Sequence, residues 1–221
     1  MIWRFANRSE AGKLLAERLI PYKTFADVLV LALPPGGVPV AIEIARALDA
    51  PLDVFLARKL GVPGFPEMAM GAIASAGARY LDHELTAALR ISPAEIERAV
   101  AQATEDLARS EESYRRGRGR LELEGRTILL VDDGGATGSS LCLVIAALRR
   151  LKPARIVVAS PVAPACTCQE LRLCADDVIC LLQPQDFRAI RSCYQQFPQV
   201  SDEEVCGLLE AAGRPVSQVA A

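Results

Sequence analysis

The chain has 221 residues, of which 51% are hydrophobic and 24% are charged, which is enough for one sizeable domain with a continuous core. Its net charge of −2 excludes a general electrostatic attraction to nucleic acid or anionic membranes, so an anionic ligand has to be bound by a local group of donors. We find no signal-peptide pattern and no stretch of the ~20 apolar residues that a membrane helix needs. We therefore expect a cytoplasmic globular protein.

The first quarter of the chain alternates between helical patterns and apolar runs. A helix is predicted with Ser9 as its N-cap and Pro21 beyond its end. Residues 27–33 form a continuous apolar run, which is typical of a strand buried on both faces of a parallel sheet. A helical pattern over residues 38–48 and a second strand over residues 51–57 complete a strand–helix–strand unit.

Glycine and proline are frequent in the next segment. Residues 58–67 (RKLGVPGFPE) are predicted to form a mobile loop. The short apolar runs over residues 68–75 and 78–81 predict a hairpin beside the main sheet.

A strong helix start follows this hairpin. Ser92, Pro93 and Glu95 combine an N-cap, a first-turn proline and a capping-box glutamate. The helix is predicted to run to about Tyr114, and the basic run over residues 115–120 is expected to be a loose, solvated helix end.

The alternation of strands and helices resumes after Arg126. Strands are predicted over residues 127–131, 155–160 and 177–182, and helices over 138–151, over 164–173 and from Ser201 onwards. The predicted fold class is α/β, a mostly parallel sheet flanked by helices, with a small hood or hairpin region.

The strongest functional signal lies between the strand and the helix that follow Arg126. Two acids, Asp132 and Asp133, are followed by a glycine-rich loop. Backbone N–H groups of this loop, at a helix N-terminus, suit a phosphate. An ionised carboxylate only accepts hydrogen bonds, so the two acids suit the vicinal hydroxyl groups of a sugar. The segment therefore predicts a site for a phosphorylated ribose.

Other motifs fit this segment less well. A P-loop requires a lysine before the Ser/Thr, and a dinucleotide fingerprint requires three spaced glycines. A two-aspartate phosphatase motif separates its acids by one residue, whereas these are adjacent. The purely structural alternative is a tight turn in which one acid caps the helix, but a cap uses one acid and not two.

The segment also resembles the signature of the type I phosphoribosyltransferase family, an apolar strand followed by two acids, a small-residue loop and Thr-Gly-Ser/Thr. The likeness extends over about residues 25–182. It implies that Asp132 and Asp133 bind the ribose hydroxyls of phosphoribosyl pyrophosphate. The residues implied to bind its 5-phosphate are Gly134, Gly135, Ala136, Thr137, Gly138 and Ser139.

Two further segments occur in the order that this family uses. Pro35, Gly36 and Gly37 match the position of the pyrophosphate-binding loop, although Pro35 has no N–H and stands where relatives often carry a basic or polar residue. Arg58 and Lys59 open the segment that matches the flexible loop of purine-type members, and their charges would neutralise the departing pyrophosphate. By themselves, these two residues also fit a solvated strand end.

The resemblance implies one domain over residues 1–221, with a core over 25–182 and hood elements from 58–92 and 183–221. The implied reaction is displacement of pyrophosphate from C1 of the ribose by a nitrogenous base, with Mg²⁺ carried by the pyrophosphate substrate. We also expect a homodimer, and no nucleic-acid or membrane partner.

Catalysis in such a reaction rests on positioning and electrostatics. The resemblance implies that Asp132, Asp133, Arg58 and Lys59 are the catalytic residues, and Asp133 is our candidate proton acceptor. The alternative is a regulatory protein of the same fold that binds phosphoribosyl pyrophosphate or a nucleotide without turnover.

A base would be gripped from outside the core sheet. The candidate residues are Phe65, Glu67, Met70, Phe187, Tyr194 and Phe197. Because only 5% of the residues are aromatic, we favour core positions for these rings. The single histidine, His83, is expected at the surface, and the seven cysteines are expected to be small buried hydrophobes and not zinc ligands.

Overall fold

The computed structural model describes residues 4–135 and 137–212. The strands are β1 (Val28–Ala32), β2 (Leu52–Val54), β3 (Ala57–Val62), β4 (Phe65–Ala74), β5 (Ala78–Leu81), β6 (Thr127–Val131), β7 (Arg155–Val162) and β8 (Asp177–Leu182). The helices are α1 (Arg8–Leu19), α2 (Gly37–Leu48), α3 (His83–Ala88), α4 (Pro93–Tyr114), α5 (Gly138–Arg149), α6 (Ala165–Arg172) and α7 (Asp202–Ala211).

The central sheet has five parallel strands in the order β2-β1-β6-β7-β8, and β3, β4 and β5 form a separate antiparallel sheet. The predicted α/β class is therefore confirmed. Every residue of β1 and β6 is buried, because helices cover both faces of the sheet. In β1, Val30 packs with α1, α2 and α7, whereas Leu29 and Leu31 pack with α5 and α6 on the other face.

The predicted mobile loop over residues 58–67 is wrong. These residues form most of β3 and the start of β4, joined by a turn at Gly64, which has a φ of +79°. Leu60 and Val62 are buried and alternate with the exposed Lys59, so burial of one strand face prevails over the loop preference of glycine and proline.

The basic run after α4 is only partly the predicted solvated end: Arg116 and Arg120 are exposed, whereas Arg115 and Arg118 are not. Arg115 donates from Nε to Asp53 Oδ1 and from Nη2 to Asp53 Oδ2, both at 3.1 Å. Arg118 donates to the carbonyl oxygens of Leu52 and Leu209 at 2.8 and 2.7 Å. Both arginine side chains are buried against Asp53, which is 1% exposed. The run therefore fastens the end of α4 to β2 and α7.

Several local predictions differ in detail. Helix α1 is capped by Asn7 and not by Ser9, whose hydroxyl instead donates to Glu43 at 2.6 Å. The second strand is shorter than predicted and covers Leu52–Val54. The capping box at Ser92 and the exposed position of His83 are confirmed. Within the described ranges, no helix has the length and apolarity needed to cross a bilayer.

The cysteines do not share one environment. Cys168 and Cys193 are buried as predicted, but Cys166 is exposed. Cys142 of α5 and Cys174, which follows α6, form a disulfide with a Cα–Cα distance of 5.9 Å, a pairing that the sequence did not indicate. Over the described residues, no group of three or more His, Cys, Asp or Glu side chains is placed to hold a metal ion.

Candidate functional site

The candidate site is a cavity of about 530 Å³ at the carboxyl ends of β1 and β6. In the central sheet, β2 lies on one side of β1, and β6, β7 and β8 lie on the other side of β1. The crevice at such a reversal of strand order is the usual ligand position in open α/β sheets. The lining residues are Arg8, Leu33, Pro34, Pro35, Gly36, Asp132, Asp133, Ile190, Phe197, Pro198, Gln199 and Val200.

The two predicted acids line this cavity. Asp132 is half-buried, and its Oδ1 accepts a hydrogen bond from the backbone N–H of Asp133 at 2.9 Å. Asp133 is 8% exposed, and its Oδ2 accepts from Arg8 Nε at 2.8 Å. Neither carboxylate caps helix α5, whose N-cap residue is Thr137. The purely structural alternative therefore does not explain this pair.

Burial and the adjacent carboxylate of Asp133 raise the pKa of Asp132 to about 8, against a smaller lowering effect of Arg8. Two carboxylates in one site cannot both ionise freely, so Asp132 keeps its proton near neutral pH. The charge of Asp132 thus changes within the physiological pH range. The proton-acceptor role assigned to Asp133 stays a prediction.

The predicted pyrophosphate loop packs directly against the acidic pair. The N–H of Leu33 donates to Val131 O at 2.8 Å, which extends the pairing of β1 with β6. A Cβ atom on Gly36 would lie 2.2 Å from Asp133 Oδ2, and one on Gly37 would lie 2.5 Å from Val131 O. Glycine is therefore required here for close approach.

We expect Gly36→Ala to lower the free energy of unfolding by roughly 1–3 kcal/mol, as overpacking does. The φ and ψ of Gly36 are −66° and −34°, which alanine adopts readily, so the cost comes from contact with the Asp133 carboxylate. Urea unfolding of the purified variant measures it. The matched control is Gly207→Ala in α7, where an added Cβ meets nothing within 4 Å and a gain of about 0.5–1 kcal/mol is expected. Equal changes in both variants would contradict this explanation.

The predicted phosphate loop is partly engaged within the protein. The N–H of Gly135 donates to Val162 O at 2.9 Å, so it is not directed at a ligand here. Thr137 is extended and makes no side-chain capping bond, and Gly138 begins α5. A Cβ on Gly138 would lie 2.3 Å from Oε2 of the exposed Glu170, so a carboxylate lies beside the start of α5, where it would repel a phosphate. Ala136 lies outside the described residues.

Arg58 and Lys59 are not among the residues that line the cavity. Arg58 donates to Ser110 Oγ at 2.6 Å and to Ala57 O at 3.0 Å. Lys59 is exposed on β3. The structure therefore brings together the acidic pair and the proline–glycine loop, but it leaves the two predicted cations elsewhere.

Residues near both ends of the chain cover the acidic pair. Phe5 exchanges backbone hydrogen bonds with Cys193 and Gln195. Tyr194 is 3% exposed, and its hydroxyl donates to Asp133 O at 2.6 Å. Burial, followed by the effect of Asp133, raises the pKa of Tyr194 above its usual range. The predicted core position is thus confirmed for Tyr194, one of the candidate hood residues.

The remaining hood candidates are spread over the molecule. Met70 is fully buried, Phe65 is 69% exposed, and Phe197 lines the cavity.

Arg8 is a site residue that the sequence did not reveal. Its guanidinium lies 3.7 Å above the centre of the Phe197 ring, and it is 125 residues away from Asp133 in the chain. Among the described residues that line this cavity, Arg8 is the only cation.

Comparison with known proteins identifies the family of the chain. A family model for the phosphoribosyl transferase domain matches residues 7–196. The chain belongs to the phosphoribosyltransferase family. Curated relatives include "Putative phosphoribosyl transferase Rv0571c" and "Putative phosphoribosyl transferase MT0597", from two strains of Mycobacterium tuberculosis, each 40% identical over 217 residues.

The chain spans about half the length of those curated relatives, because the match covers 98% of the chain and 49% of each relative. Among solved structures, TT1426 from Thermus thermophilus is similar with a TM-score of 0.84 and 42% identity, covering 93% of this chain and 97% of that one. The fold of TT1426 is therefore shared over nearly the whole chain.

Proposed function

We propose that the chain is an active phosphoribosyltransferase that transfers the phosphoribosyl group from phosphoribosyl pyrophosphate to a nitrogenous base. The observation that carries this proposal is the acidic pair, Asp132 and Asp133, facing a cavity together with the loop at Pro35 and Gly36. Membership of the family supports the same reaction class.

The reaction breaks the bond between C1 of the ribose and the pyrophosphate oxygen, which keeps the electron pair. A nitrogen lone pair of the base forms the new bond at C1, and the base loses a proton. Asp132 and Asp133 would accept hydrogen bonds from the ribose hydroxyls and would lie near the developing oxocarbenium charge. The substrate would enter as its magnesium complex, and its pyrophosphate would lie against Gly36, which lines the cavity. The N–H of Gly37 already donates to Leu33 O at 2.9 Å.

The decisive experiment is incubation of the purified chain with MgCl₂, phosphoribosyl pyrophosphate and a panel of purine and pyrimidine bases, with pyrophosphate release as the readout. We expect release that depends on one class of base and on magnesium. Asp132→Asn should abolish it. If no base in the panel gives release from the folded protein, the proposal of turnover fails.

A regulatory role is the second candidate. It is favoured by Pro35, which has no N–H to offer to pyrophosphate, and by the absence of Arg58 and Lys59 from the cavity lining. Calorimetric titration separates the two candidates, because a regulator would bind phosphoribosyl pyrophosphate in the same panel without releasing pyrophosphate.

A further inference from the structure

Arg8 is the first residue of α1, yet its side chain is 10% exposed and reaches the far end of β6. Three contacts hold it there: Nε donates to Asp133 Oδ2 at 2.8 Å, Nη1 donates to Pro198 O at 2.7 Å, and the guanidinium stacks over Phe197. Such a guanidinium has little freedom to turn away. Its orientation is therefore set by the protein and not by solvent.

Charge at the cavity depends on this one side chain. Two adjacent carboxylates would repel a phosphorylated ligand as well as each other. The predicted cations Arg58 and Lys59 do not line the cavity, and Arg8 is the only cation among its described lining residues. Arg8 therefore offsets the negative charge of the Asp133 carboxylate at the point where the ribose would bind.

Arg8 also fixes the position of the Asp133 carboxylate. The Asp133 carboxylate is confined between Arg8 and Gly36, since a Cβ on Gly36 would lie 2.2 Å from the same Oδ2 that Arg8 contacts. A carboxylate held on two sides keeps one orientation, and such preorganisation reduces the entropy lost on binding.

We propose that Arg8 is a positioning residue of the ribose site, which orients the Asp133 carboxylate and supplies the positive charge that lets the acidic pair accept an anionic ribose phosphate. This inference rests on the proposed function, because it takes phosphoribosyl pyrophosphate as the ligand. It assigns to Arg8 the charge-balancing part that the resemblance had given to Arg58 and Lys59.

The test is calorimetric titration of the full chain with phosphoribosyl pyrophosphate and MgCl₂. Arg8→Gln should weaken binding by about tenfold or more, the effect of losing a charge-assisted hydrogen bond, and Arg8→Lys should recover part of the loss. The matched control is Arg79→Gln, which breaks a surface ion pair with Glu97 (3.0 Å) away from the cavity and should leave affinity unchanged. If Arg8→Gln does not fold, the reduced affinity of Arg8→Lys relative to wild type serves as the test.

A second readout separates orientation and charge from simple loss of packing. Carboxyl-carbon NMR of the ligand-free protein should show a higher pKa for Asp132 in Arg8→Gln than in wild type, because the guanidinium lowers the pKa of Asp132. Besides Arg8, the pKa of Asp132 depends on Asp133, and the hydroxyl of Tyr194 donates to Asp133 O. Both of these residues are retained in the variant.

The outcomes are distinguishable. No binding by the wild-type chain would overturn the proposed function and the role of Arg8 with it. Wild-type binding that is unchanged in Arg8→Gln, or an Asp132 pKa that does not rise, would overturn the role of Arg8 and leave the proposed function standing.

Discussion

Asp132→Asn and Asp133→Asn are expected to change the stability of the protein in opposite directions, although the two positions are adjacent. Asparagine at position 132 keeps the oxygen that accepts from the Asp133 N–H and removes a half-buried carboxyl that lies beside another carboxyl. At pH 8.5 we expect this variant to gain on the order of 1–2 kcal/mol, or roughly 4 °C in Tm. This gain in stability is smaller than the free energy that corresponds to the full pKa shift of Asp132, because Asp132 is half-buried and faces the cavity.

The sign of the pH dependence follows from the raised pKa of Asp132, which is about 8 in the folded state and ~4 in the unfolded chain. Between these two values the folded protein holds a proton that the unfolded chain has lost, so wild-type stability falls as the pH rises. Asparagine does not titrate. The advantage of Asp132→Asn should therefore be close to zero near pH 4, grow up to about pH 8 and stay constant above it.

Asp133→Asn has the opposite effect because it leaves the buried Arg8 guanidinium without its anionic partner. Breaking a buried ion pair from one side costs about 3–5 kcal/mol, and relief of the repulsion with Asp132 offsets part of this, so we expect a net loss of about 2 kcal/mol. Thermal unfolding of wild type and both variants at pH 5 and pH 8.5 measures these effects. Stabilisation by Asp133→Asn at pH 8.5 would contradict the ion pair.

Local signals in the sequence predicted the core elements well. The limits of β6 and β8 were predicted correctly, and so was the capping box at Ser92. Each of these features depends on residues that are close together in the chain: a run of apolar residues, or an N-cap with a glutamate three positions later. The acidic pair was found for the same reason.

Features that depend on contacts between distant residues were missed. The strands β3 and β4 carry glycines and prolines that favour loops locally, and they form because Leu60 and Val62 are buried against the rest of the protein. The pairing of Arg8 with Asp133 joins opposite ends of the chain. No local pattern encodes such a contact, and an arginine at a helix start normally indicates a solvated position.

The buried ion pairs of Asp53 show the same limit, and they lead to the largest stability change that we expect. Asp53 accepts from Arg115 at two oxygens and lies 3.8 Å from Arg118, and all three side chains are at most 12% exposed. Asp53→Ala would leave two buried guanidinium groups without a counter-charge. We expect a loss of about 3–5 kcal/mol in the free energy of unfolding.

Urea unfolding followed by circular dichroism measures this loss. The surface ion pair of Arg79 with Glu97 is the control with which the loss is compared. Glu97→Ala removes a carboxylate whose side chain is 67% exposed, and such surface pairs contribute only about 0–1 kcal/mol. Because α4 and α7 are joined to β2 through Arg115 and Arg118, the destabilised protein should also lose its amide-exchange protection first in α7. A cost for Asp53→Ala no greater than that for Glu97→Ala would show that water, and not Asp53, compensates these arginines.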